Sequence, residues 1–366
     1  MKRMRTRSNH GFSLVEVLVA MAVGLVVVGA AVQLFSKGLD ATYLVSQRAQ
    51  MQQDIRGAEN LMIKDISLAG AGMPVGGVAL PTGTAKATTY GCDPGACYIG
   101  SGAGSAYPGQ YMYAIIPGKG LGPTLNAGQG PTDVITVVYA DTAFLLNQYL
   151  VTFNAGTNGQ VTTFTMPIPV PVPAPQPVNS ASVGLQPGDL VLFTNTLGAA
   201  SGTAIGEVTA TAGGGPYTVT LADPDRLGFN QIAATGGNLK AISGGASTTA
   251  TRIWVTTYYL DVLPDPSGAG VGTPRLMRQV NGLPPAPIAD NVADLRFTYD
   301  TYDTVGTVRA GLDDAGASLG LSPNMIRKVN LTLSARSPMR GKGGYQSLGI
   351  RTSISARNLS FSNRYQ

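Results

Sequence analysis

The chain has 366 residues, only 12% of them charged, with a formal net charge of +5 and a pI near 9.1. Four basic residues, Lys2, Arg3, Arg5 and Arg7, crowd the first ten positions without an acid and leave +1 for everything after them, so the high pI reports membrane topology and gives no ground for expecting nucleic acid as a partner. The single histidine, His10, lies in the same leader, which excludes Ser-His or Cys-His catalysis and histidine-ligated metal from the remainder.

Gly11 closes the leader, and from Phe12 to Phe35 the chain carries one charge, Glu16. As a helix, these roughly 24 residues reach about 36 Å, enough to cross a bilayer core of about 30 Å. A carboxylate inside such a span costs roughly 3 kcal/mol or more, so it is expected to have a partner and a task. An ordinary secretory signal has a shorter apolar core with its small-residue cleavage site after it. Here the run is longer and Gly11 comes before it.

The helix is predicted to continue. Met51, Ile55, Ala58, Met62, Ile66 and Ala69 recur at steps of three and four, one face of an amphipathic helix over 36–70. Gly70-Ala-Gly-Met-Pro74 ends it. Its apolar stripe is expected to pack on a globular domain, residues 71–366.

Residues 91–130 are rich in Gly and Ala and read as long irregular surface loop. Within them Cys92 and Cys97 flank Asp-Pro-Gly-Ala, a tight turn whose ends can meet. A small-loop disulfide is the expected state outside the cytoplasm. The spacing is neither a redox Cys-x-x-Cys nor, with two thiolates alone, a zinc site.

The rest predicts β-structure. Expected strands are Asp133–Ala140, Gly188–Phe193, a hairpin of Glu207–Thr211 with Tyr217–Leu221 around Gly213–Pro216, Thr251–Leu263, Arg275–Val280, Val292–Tyr299, Ile326–Arg336 and Gly349–Leu359. Between them, 167–177 has proline at every second position. It predicts an extended polyproline-like stretch, either a semi-rigid spacer between two β-lobes or a stiff loop of one domain.

Catalytic patterns are missing. There is no Gly-x-Ser-x-Gly turn and no phosphate-binding loop. Asp300, Asp303, Asp313 and Asp314 do not have the spacing of an EF-hand. The expectation is a non-enzymatic protein without cofactor or metal.

The leader, Gly11, Phe12, Glu16 and the apolar run together resemble the class III signal of type IV prepilins. The resemblance implies an α+β pilin fold: leader 1–11, membrane and assembly helix 12–35, helical spine 36–70, and a β-rich C-terminal domain. It implies cleavage after Gly11 by prepilin peptidase, N-methylation of Phe12, and insertion in the bacterial inner membrane before assembly with other pilins by the pilus machinery. It also implies that Glu16, the fifth residue after the cut, meets the Phe12 amine of a neighbouring subunit and sets the stagger, since a buried pair is better suited to fixing register than to adding stability. Leu61–Gly70, Asp133–Val137, Gly188–Phe193, Val292–Asp300, Ile326–Ser337 and Arg351–Arg357 further resemble the large PilW-type minor pilins, which implies a role in priming or capping a fibre. A minor pseudopilin of a type II secretion system, and a tip adhesin or DNA-uptake subunit, are the alternatives.

Overall fold

The computed structural model describes residues 12–81, 89–93, 96–100, 111–125, 130–153, 160–198, 201–223, 225–232, 237–242, 247–265, 272–302, 306–338 and 344–362, and the side chains of these except at 89–100 and 360–362. The chain forms two compact units, Met1–Gln52 and Gln53–Gln366. Helix α1, Leu14–Leu68, contributes to both.

Within the first unit, over residues 12–35, α1 shows apolar side chains on every side. Phe12, Leu14, Leu18, Met21, Leu25 and Phe35 are all more than 60% exposed, and none of its most apolar stretch is buried. A helix that is hydrophobic all round belongs in lipid or among other helices.

In the second unit the same helix is amphipathic. Ile55, Ala58, Met62, Ile66 and Ala69 are buried in a core shared with Val329, Leu331 and Leu333, as the spacing predicts. Gly70 ends the helix with φ +83, the left-handed position that glycine takes after a helix. Its N–H donates to the Val138 carbonyl at 2.9 Å, while Leu359 lies 3.2 Å from where a Cβ would sit.

The strands that follow are β1 Val78–Ala79, β2 Thr89–Asp93, β3 Ala96–Gly100, β4 Tyr111–Met112, β5 Ile115–Gly118, β6 Val134–Ala140, β7 Leu150–Phe153, β8 Val161–Thr165, β9 Leu190–Asn195, β10 Gly202–Glu207, β11 Ala210–Ala212 and β12 Tyr217–Thr220. After the short helix α2, Leu239–Ile242, come β13 Thr248–Leu263, β14 Thr273–Val280, β15 Ala286–Asp290, β16 Val292–Tyr302, β17 Val308–Leu312, β18 Ile326–Arg336 and β19 Ser347–Ser355, then helix α3, Arg357–Ser362.

Among the described residues, the largest sheet has eleven strands organised on β13. That 16-residue strand pairs antiparallel with β9 along its first part, then with β6 and β14. A second sheet has the order β17-β16-β18-β19. Its inner face, Val329, Leu331, Leu333 and Ile354, joins the core beneath α1, and its outer face is polar, the alternation of an antiparallel sheet with one solvated side. Asp133, ahead of β6, ties the two sheets: it accepts from Phe297 N–H at 2.9 Å and from Gly120 N–H at 2.8 Å. The proline-rich segment connects β8 to β9, two strands of the large sheet.

Three expectations change. The stretch 91–130 contains strands, including the buried β5, which its glycines and Pro117 conceal. The expected strand at Glu207–Thr211 is two strands: β10 ends at Glu207 on β9, and β11 starts at Ala210 on β12. The last strand stops at Ser355, and residues to Leu359 turn into α3 so that Leu359 covers Gly70.

Candidate functional site

The first place of interest is the head of α1. Ser13 precedes the helix, and its Oγ accepts from Glu16 N–H at 3.2 Å. The Glu16 carboxylate reaches back and accepts from Ser13 N–H at 3.4 Å. This reciprocal pair is a capping box, which satisfies two of the donors that a helix start leaves open. Glu16 also sits in the first turn, where the helix dipole favours an anion. Glu16 thus has a local reason to exist that does not require a neighbouring subunit. The Ser-x-x-Glu spacing ahead of the apolar run carries that signal in the sequence. Phe12 is exposed one residue ahead of the cap. Gly11 lies outside the described residues.

The second place is the other end of α1, inside the second unit. Asp65 is buried and receives three donors from three strands. Tyr139 of β6 donates at 3.1 Å, Tyr258 of β13 at 2.6 Å and Arg278 Nε of β14 at 2.9 Å. Arg278 also bonds the Tyr258 hydroxyl at 3.2 Å. Burial, reinforced by the Asp65 charge, raises the Tyr139 hydroxyl to about 12 and moves Tyr258 in the same direction. Both phenols therefore stay protonated as donors. A cleft beside this cluster is lined by Leu61, Lys64, Asp65, Tyr139, Trp254 and Arg278. Periodicity marked the apolar stripe of α1 but gave no sign that Asp65 on the same helix is its polar anchor.

Cys92 and Cys97 pair in register across the β2–β3 hairpin, while their side chains lie outside the described residues. Of the acids considered for calcium, Asp300 accepts from Gly311 N–H and Asn330, Asp314 from Gly316 and Ser318 N–H, and Asp313 pairs with Lys119 at 2.5 Å. Asp303 lies outside the described residues. No group of three or more His, Cys, Asp or Glu among the described residues is placed to hold a metal.

Residues 6–32 match the family model of the prokaryotic N-terminal methylation motif. The match spans the end of the leader, Gly11, the capping box and most of the apolar run. It supports a type IV pilin-like prepilin. In coarser terms, the chain carries the features of a pilin or pseudopilin precursor processed by prepilin peptidase, assembling with pilins or their machinery. The exposed apolar helix fits a membrane-anchored protein of that kind, and the motif suggests a structural, non-enzymatic one. No curated protein and no solved structure matches the chain.

Proposed function

We propose that this protein is a minor pilin that primes or caps a type IV pilus, cut after Gly11 and polymerised through the head of α1. The observation that carries the reading is the pairing of an all-round apolar helix, capped by Ser13 and Glu16, with a large β-domain anchored at the same helix's far end. Cleavage ahead of Phe12 would create a cationic amine one residue before the cap. A positive charge there opposes the helix dipole by roughly 0.3–1 kcal/mol. Glu16 in the first turn offsets it, and in a packed bundle Glu16 of one subunit can serve the amine of the next. The Cys92–Cys97 bond is part of the same proposal, closing a hairpin on the exported domain.

Two substitutions separate capping from charge pairing. Glu16→Gln keeps the reach-back bond of a capping box, since Gln serves at that position, but removes the charge. The expected result is normal membrane insertion and processing with several-fold less protein in sheared fibres, for Glu16→Gln as for Glu16→Ala. Full incorporation of the Gln variant would show that Glu16 only caps its own helix. Mass spectrometry of the native protein should find Phe12, methylated, as the first residue. Any other start removes the reading.

A further inference from the structure

Charge is segregated along this chain. Residues 315–366 hold eight Arg or Lys and no Asp or Glu, whereas residues 12–314 hold 13 basic against 20 acidic residues. The acid-free part forms β18, β19 and α3.

β19 is the last strand of its sheet. It pairs with β18 over nine positions without a register shift. The same register continues outside the strands: Ala356 N–H donates to Arg327 O at 2.8 Å and Ser337 N–H to Gln346 O at 2.8 Å. Hydrogen-bonded and non-bonded positions alternate in an antiparallel pair. Leu348, Ile350, Thr352 and Ile354 therefore bond to β18, while Ser347, Gly349, Arg351, Ser353 and Ser355 point N–H and C=O away from it. No described strand takes these groups.

Proteins normally blunt such edges with bulges, proline or short strands. Here β17 has an irregular register, β15 has one together with Pro287, and β5 contains Pro117. β19 has neither bulge nor proline, and its one charge is Arg351. The outer face beside this edge carries Lys328 and Arg351, both exposed, and neither forms an ion pair among the described residues. A second copy pairing β19 to β19 would bring like charges together on one face, which is destabilising.

We propose that β19 is a docking edge for an extended, acid-bearing segment of a partner protein, which adds to the sheet as a fifth strand. Main-chain bonds would give the affinity and Lys328 and Arg351 the choice of partner. The proposal stands whether or not the protein enters a fibre.

The test uses the full chain in detergent micelles with a synthetic peptide of about ten residues that alternates Glu with Val and Thr, about the span of β19. A matched peptide has Lys in place of Glu. Fluorescence anisotropy reads binding, and hydrogen exchange reads the amides of Gly349, Arg351 and Ser353. The acidic peptide should bind and slow those three amides, and the Lys peptide should bind at least roughly tenfold more weakly. Ser353→Pro removes an outward donor while sparing the β18 ladder, so it should abolish binding. Lys328→Glu with Arg351→Glu should reverse the preference between peptides. Equal binding of both peptides, unchanged binding to Ser353→Pro, or no binding would overturn the proposal. So would slow exchange at these amides that needs only a higher concentration of the chain itself, which would make a second copy the occupant.

Discussion

Glu16 and Asp65 are two acids on one helix, each set among apolar residues, and they are handled in opposite ways. Glu16 has only its own first turn, where it exchanges backbone bonds with Ser13. Asp65 collects Tyr139, Tyr258 and Arg278 from strands far away in sequence. The contrast shows what a carboxylate needs in order to be permanently buried: a full set of donors already in place. Asp65 has that set within its own unit. Glu16 has a helix cap and exposed surroundings.

The largest effect should come from removing the anchor. Asp65→Ala leaves two buried hydroxyls and the partly exposed Arg278 without their acceptor, and should destabilise the β-domain by about 3 kcal/mol, the low end of the cost of breaking a buried pair. Thermal unfolding of the detergent-solubilised chain reads this. The contrast sharpens if Asp65→Leu combined with Arg278→Met recovers most of the loss, because no uncompensated charge then remains. If Asp65→Ala unfolds like the parent, Asp65 is not an anchor.

Alkaline pH should act on the same cluster with a smaller effect. An unfolded tyrosine ionises near pH 10, while Tyr139 in the fold is held at about 12. The folded state keeps its proton where the unfolded state gives it up. The stability from this group is therefore whole below about pH 10 and is lost as pH rises toward 12, at about 1.4 kcal/mol per unit, or about 2.7 kcal/mol in all. Tyr258 shifts the same way and adds to the slope. Urea titrations at pH 9 and pH 11 on the parent and on Tyr139→Phe measure it, and the Phe variant should show the shallower loss.

The smallest effect belongs to the other end of the helix. Ser13→Ala removes one half of the capping box and should cost about 1 kcal/mol locally. The Glu16 amide would then exchange roughly fivefold faster, with the unfolding of the β-domain unchanged. A large drop in domain stability would erase the distinction between the two ends.

Much of this was legible from residue order. The apolar run and the stripe Ile55, Ala58, Met62, Ile66 are local patterns, and local patterns determine local structure. The alternation of apolar and polar residues in Val329–Ala335 was equally plain. β5 was hidden because Pro117 argues against a strand and only its place beside β6 permits one. The anchor was hidden for a different reason. Asp65 meets Tyr139, Tyr258 and Arg278 at separations of 74, 193 and 213 residues, and nothing in their neighbourhoods in sequence marks them as partners. The capping box is a local pattern too, Ser13 with Glu16 three residues on.

The arrangement around Asp65 also has a mechanical side. β6, β13 and β14 are already laced to one another by their ladders, and each contributes one donor to the same carboxylate. Tension on this part of the helix would be distributed at that point over three strands at once, so no single strand could be peeled off alone. A domain tethered in this way resists traction by loading a whole patch of sheet.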